Sequence, residues 1–105
     1  MTLTDIQNLL HKSSDFLEDA YGVKKIGVFG SYARETAVTN ISDVDILVEF
    51  SRPIGWEIVD LHAYLENLLG KEVDLVTVNA LKPELKSAIL SEVVYAWVKE
   101  PTASF

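Results

Sequence analysis

The sequence contains no cysteine in 105 residues, which removes disulfides, thiolate zinc sites and thiol nucleophiles together and suits a reducing compartment. Basic residues are scarce as well: nine Lys+Arg stand against sixteen Asp+Glu, a formal net charge of −7. A chain with that balance does not grip a nucleic-acid backbone by charge, and a basic partner suits it better. No apolar run approaches the roughly 20 residues of a membrane-spanning helix. Met1-Thr2-Leu3-Thr4-Asp5 lacks the positive flank and apolar stretch of an export signal. These absences predict a cytoplasmic protein with no membrane association and no direct nucleic-acid binding. Repeats, low-complexity stretches and linkers are missing too, so one domain over 1–105 is expected, with 99–105 a flexible polar tail.

What is present is the composition of a globular domain able to bury one core, 49% hydrophobic and 24% charged. Leu3, Ile6, Leu9, Leu10, Phe16, Leu17 and Ala20 recur at helical spacing and predict one helix over 5–20, with Thr4 and Gln7 as a capping box. Val23–Phe29 predicts a buried strand closed by Gly30-Ser31, followed by a brief helix over Tyr32–Ala37 and the polar loop Val38-Thr39-Asn40. Asp43–Phe50 is the clearest strand, with Val44, Ile46, Val48 and Phe50 on one face and Asp43, Asp45, Leu47 and Glu49 on the other. Ile58, Leu61, Leu65, Leu68 and Leu69 mark a helix over 56–69 stopped by Gly70, and Glu72–Val78 reads as a third strand. From Pro83, a stripe of Leu85, Ile89, Val93 and Ala96 predicts a last helix. The order αβαβαβα implies an α+β fold, a small mixed sheet of about three strands with helices packed on it.

The chemistry concentrates in few residues. Asp43 and Asp45 lie two apart on a strand, so both carboxylates leave one face, about 6.6 Å apart at their α-carbons. Two acids directed to one side repel unless something positive sits between them. Hard oxygen donors without nearby His or Cys favour Mg²⁺ or Mn²⁺. Asp74 adds a third carboxylate if its strand lies beside the second. Gly30-Ser31, between a strand and a helix, offers backbone N–H groups and a hydroxyl to a phosphate, and Arg34 adds a charge clamp for a triphosphate. Each of these alone has a plainer account, with the aspartates facing water on a half-exposed sheet and Arg34 solubilising the surface.

Other candidates fit structural roles better. His11 and His62 have no second His or Cys one turn away and read as surface or partner-contact residues. Trp56 and Trp97, near helix ends, read as core or interface packing. Tyr32 is available to stack on a base, although a core or rim position suits it equally. Glu66, Glu72, Glu84 and Glu92 read as solvated faces.

Together, Phe29-Gly30-Ser31-Tyr32-Ala33-Arg34, Ser42-Asp43-Val44-Asp45-Ile46-Leu47-Val48 and Val73-Asp74-Leu75-Val76 resemble the minimal nucleotidyltransferases of the DNA-polymerase-β-like superfamily. The resemblance runs from about Val23 to Tyr95. It implies the polymerase-β-like fold, Gly30 and Ser31 binding nucleotide phosphates, Asp43 and Asp45 holding divalent metal, and Asp74 as the third acid. Two departures stand out: Glu35 replaces the glycine common after the arginine, and eleven residues separate Ser31 from Asp43, one more than the usual spacing.

The resemblance extends to the antitoxin half of toxin–antitoxin modules whose toxin is a HEPN-domain ribonuclease. It implies a Mg²⁺-dependent enzyme, with two ions and ATP as substrate, moving AMP onto a tyrosine of the toxin. Two alternatives stay open: a non-catalytic antitoxin that masks a basic ribonuclease, and nucleotidyl transfer to a small-molecule hydroxyl. Association with the toxin or with a second copy of the chain is compatible with either. A chain this short has little surface for an acceptor of its own.

Overall fold

The computed structural model describes residues 1–38 and 41–98. The expected tail at 99–105 and Thr39-Asn40 of the polar loop lie outside them. Among the described residues are five α-helices and four strands: α1 Leu3–Lys12, α2 Ser14–Tyr21, β1 Val23–Phe29, α3 Gly30–Ala33, β2 Val44–Phe50, α4 Glu57–Leu69, β3 Val73–Thr77, α5 Pro83–Glu92 and β4 Val94–Val98. A single 3₁₀ turn, Val78–Ala80, links β3 to α5.

The expected helix over 5–20 is two helices, because the chain leaves helical geometry at Ser13, φ −94° and ψ 6°, where its N–H turns back to Leu10 and His11 carbonyls. Paired serines at 13 and 14 compete for backbone hydrogen bonds and favour such a junction. The capping box is also displaced by two residues. Thr2 Oγ1 accepts from the Asp5 N–H at 3.2 Å while Asp5 Oδ2 accepts from the Thr2 N–H at 2.9 Å, so Thr2 and Asp5, not Thr4 and Gln7, close the first turn.

The sheet has the order β3-β2-β1-β4. β1 pairs antiparallel with β2 and with β4, whereas β2 and β3 run parallel. The fourth strand corrects the expectation of about three, and shortens the expected last helix. Val93 leaves helical geometry at φ −63°, ψ 135°, and the β-branched and aromatic run Val94-Tyr95-Ala96-Trp97-Val98 pairs with β1. Trp97 therefore sits in a strand, with its indole N–H buried and without an acceptor among the described residues. Trp56 is 90% exposed, which excludes the core role considered for it.

Val44, Ile46 and Val48 of β2, with Ile26 and Val28 of β1, turn one sheet face onto Ile6, Leu10, Leu17, Leu61, Leu65 and Leu69 of α1, α2 and α4. Leu61, Leu65 and Leu69 repeat every four residues, which forms one helix stripe. Leu61 and Leu65 are fully buried, each worth about 1.5–3 kcal/mol relative to exposure. Gly70, at φ 65°, ends α4 in the left-handed region. The opposite sheet face carries Asp45, Leu47 and Asp74, and the site is built there.

Candidate active site

Five segments meet at the ends of the central strands. β1 delivers Phe29 into Gly30, the first residue of α3. Gly30 has φ 70°, a left-handed conformation that a Cβ disfavours. Its second constraint is spatial: a Cβ built there would overlap the Asp45 carboxylate. This pairing follows from register, since Phe29 stands opposite Asp45 across the antiparallel β1–β2 ladder.

α3 starts at Gly30 and is shorter than the brief helix expected over Tyr32–Ala37. It ends in a Schellman closure, with the Glu35 N–H on the Tyr32 carbonyl at 3.2 Å and the Thr36 N–H on the Ser31 carbonyl at 2.8 Å. That closure requires a left-handed residue, and Glu35 occupies it at φ 60°. The departure noted in the sequence thus falls just past α3, at a left-handed position where glycine would be unstrained. The Ser31 hydroxyl makes no hydrogen bond among the described residues. Tyr32 is buried in the core with Lys71 Nζ 5.9 Å from its ring centroid, which favours the packing role over base stacking.

Asp45 and Asp74 are register partners on the parallel strands β2 and β3, so their side chains leave the same face of adjacent strands. Asp43 lies just before β2, and Asp43 and Asp74 are exposed while Asp45 is half-buried. Burial, then the negative charges of Asp74 and Asp43, push the Asp45 carboxyl up to about 6. Arg34 opposes this shift and Glu92 adds to it. The three acids of the sequence reading therefore share one field. Among the described residues, no three carboxylate or imidazole groups already converge as a metal cage, as expected of like charges without a cation between them. The donor chemistry nevertheless fits a hard divalent cation, because all the acids offer oxygen and the burial and like charges that raise Asp45 are a cost that a bound cation would offset.

Two features were missed by sequence reasoning. Glu92, read as part of a solvated face, donates no surface charge of that kind: its Oε1 accepts from the Gly30 N–H at 2.9 Å, and both its oxygens accept from Arg34 Nη1, at 3.2 and 3.0 Å. The Gly30 N–H, and after it Arg34, hold the Glu92 carboxyl below the usual range. α4 also pins β3 just before Asp74. His62 Nε2 lies 2.7 Å from the Val73 carbonyl and Glu66 Oε2 accepts from the Val73 N–H at 3.1 Å. Neither role carries a short sequence signal: Glu92 reaches partners about 60 positions away, and the α4 contacts depend on how the helix packs beside β3.

The profile of the nucleotidyltransferase domain matches residues 10–96. The chain belongs to the nucleotidyltransferase-domain family, with the minimal nucleotidyltransferase fold. It is similar to the protein adenylyltransferase MntA of Thermococcus cleftensis, 45% identical over 96 residues that cover 90% of this chain and 96% of the relative. Among solved structures, it is similar to a chain of a toxin–antitoxin complex with AMP-PNP, 25% identical with a TM-score of 0.71, covering 90% of this chain and 74% of that one. It also shares its fold with a chain of the Shewanella oneidensis complex between a tri-AMPylated HEPN toxin and its MNT antitoxin, 22% identical with a TM-score of 0.61, covering 89% of this chain and 73% of that one. As a family member, this chain is a nucleotidyltransferase. No helix among the described residues is long and apolar enough to cross a membrane.

Proposed function

We propose that this nucleotidyltransferase transfers AMP from ATP to a tyrosine hydroxyl of a HEPN-type partner toxin and thereby silences it. The observation that carries the reading is the register pairing of Asp45 with Asp74, beside Asp43 and against Gly30, on a chain similar to a protein adenylyltransferase along nearly its whole length. Relatives of the same fold occur in complexes of HEPN toxin and MNT antitoxin, which supports the choice of acceptor.

Asp43, Asp45 and Asp74 are the residues that would hold two Mg²⁺, or Mn²⁺. When bound, such ions screen the triphosphate and lower the pKa of the acceptor hydroxyl. Ser31 and Arg34 supply hydroxyl and guanidinium donors to the nucleotide phosphates, and Gly30, whose own N–H is held by Glu92, lets the phosphates approach the turn without a side chain in the way. The tyrosine oxygen bonds to the α-phosphorus, the bond to pyrophosphate breaks, and the tyrosine proton passes to a carboxylate such as Asp74 or to solvent. No covalent protein intermediate is needed, so positioned charge is the chain's main contribution.

Incubation of the full chain with ATP labelled at the α-phosphate, Mg²⁺ and the partner is expected to label the partner. No label above the level of an Asp43→Asn, Asp45→Asn double variant would refute the reading. A second reading, neutralisation by masking alone, is favoured by the net charge of −7 and by an acid at position 35 beside the phosphate turn. It predicts that the double variant neutralises the toxin as well as the parent does.

A further inference from the structure

Glu92 is the last residue of α5 and lies 62 positions from Gly30 in the sequence, yet its carboxylate joins the two phosphate-binding candidates directly. Every hydrogen bond that the Arg34 side chain makes among the described residues passes through Nη1, and every one ends on Glu92. The guanidinium is planar and carries five donors in fixed directions. Anchoring one nitrogen sets the heading of that plane and leaves the Nε and Nη2 donors for a second anion. The pair is only partly shielded, with side-chain exposures of 55% for Arg34 and 30% for Glu92, so a ligand can reach the remaining edge.

The same carboxylate fixes the Gly30 N–H, and the Asp45 carboxyl lies against the α-carbon of Gly30. Arg34 is close enough to Asp45 to act on its charge. Without Glu92, Arg34 loses its hydrogen-bond partner while it still acts on the Asp45 charge, and an ion pair with Asp45 would take up a cation's place.

We propose that Glu92 is a positioning residue of the nucleotide site, holding Gly30 and Arg34 so that the open edge of Arg34 meets the triphosphate while Arg34 is kept off Asp45. The proposal rests on the nucleotidyl-transfer reading and adds to it a residue outside the Gly-Ser turn and the three acids. Glu92 touches neither phosphate nor cation; it acts through Arg34 and Gly30.

The test is a calorimetric titration of Mg²⁺ and AMP-PNP into the full chain, which needs no acceptor, alongside the KM for ATP and the kcat of transfer. Glu92→Ala is expected to weaken AMP-PNP binding by about tenfold or more, the scale of one lost charge-assisted hydrogen bond. Glu92→Gln keeps an acceptor oxygen for Gly30 and Arg34 and is expected to recover part of that loss. The effect falls on KM more than on kcat, which a general loss of stability would not produce. If Glu92→Ala does not fold, Glu92→Gln carries the test alone: it weakens binding several-fold in the parent and not at all in an Arg34→Ala background. Equal affinity in parent and Glu92 variants overturns the positioning role and leaves nucleotidyl transfer standing. Tighter binding by Glu92→Ala overturns it too, since the carboxylate would then be competing with phosphate. A parent chain that binds no AMP-PNP overturns the nucleotidyl-transfer reading and this proposal with it.

Discussion

The α-carbon of Gly30 lies against the Asp45 carboxylate so closely that a methyl group at position 30 would overlap it. Gly30 also has φ 70°. Gly30→Ala therefore meets two penalties, one in the backbone and one in space. It is expected to destabilise the chain by about 1–3 kcal/mol, a fall in melting temperature of roughly 4 °C or more. Transfer activity should fall further than the unfolded fraction explains, because the displaced group is Asp45. Calorimetry and transfer kinetics at a temperature where both proteins are folded check this; an unchanged melting temperature contradicts it.

Asp45 gives the chain a pH signature. Its carboxyl is raised from 3.8 to about 6, first by burial and then by Asp74 and Asp43. The folded state thus holds a proton in a range where the unfolded chain has already released it. The associated stability is complete below the unfolded value of 3.8 and is lost as pH rises through about 6. Asp45→Asn removes that loss. Without divalent cation, the variant is expected to melt above the parent near neutral pH, with the difference fading in acid. Added Mg²⁺ should raise the melting temperature of the parent and leave the variant nearly unmoved, since only a ligand that binds the folded state stabilises it. Identical neutral-pH melts for the two cation-free proteins would contradict the prediction.

Glu35 carries strain that a single change can relieve. At φ 60° it closes α3 in a region where glycine is at ease. Glu35→Gly is expected to stabilise the chain by up to about 1 kcal/mol, reduced by the extra freedom glycine has when unfolded. The KM for ATP is expected to fall a few-fold as an acid leaves the phosphate turn. A lower melting temperature for Glu35→Gly would show that the Glu35 side chain contributes something the backbone argument omits.

Both main-chain groups of Val73 are met by side chains of α4, the carbonyl by His62 and the N–H by Glu66. Asp74 follows immediately on this edge strand. Glu66→Ala is expected to cost about 1 kcal/mol and to lower kcat several-fold with little change in the KM for ATP, because it loosens Asp74 and leaves the Gly30 turn intact. A kinetic defect confined to KM would place the effect elsewhere.

The strand periodicity of Asp43–Phe50 made the paired acids legible, because alternation assigns a face to each residue without knowledge of a partner strand. Asp74 was legible only as a conditional, and the parallel pairing of β2 with β3 satisfies the condition. β4 was not legible. Val93 and Ala96 fit the helical period that starts at Leu85, no glycine or proline separates α5 from the strand, and the chain's departure at Val93 is set by pairing with β1. Glu92 was invisible for a related reason: its partners lie at positions 30 and 34, and a glutamate at the end of a helix looks the same whether it faces water or an arginine.

The pairing of Asp45 with Asp74 also bears on how the chain reaches its native state. If β2 slipped by one residue against its neighbours, its carboxylates would turn into the layer filled by Leu61 and Leu65, and its valines would turn out to water. Such a mispaired form is penalised twice, by ionised groups in apolar surroundings and by lost burial. The acids set aside for chemistry thus act as proofreaders of strand alignment, and a molecule that folds at all arrives with its reactive groups already side by side.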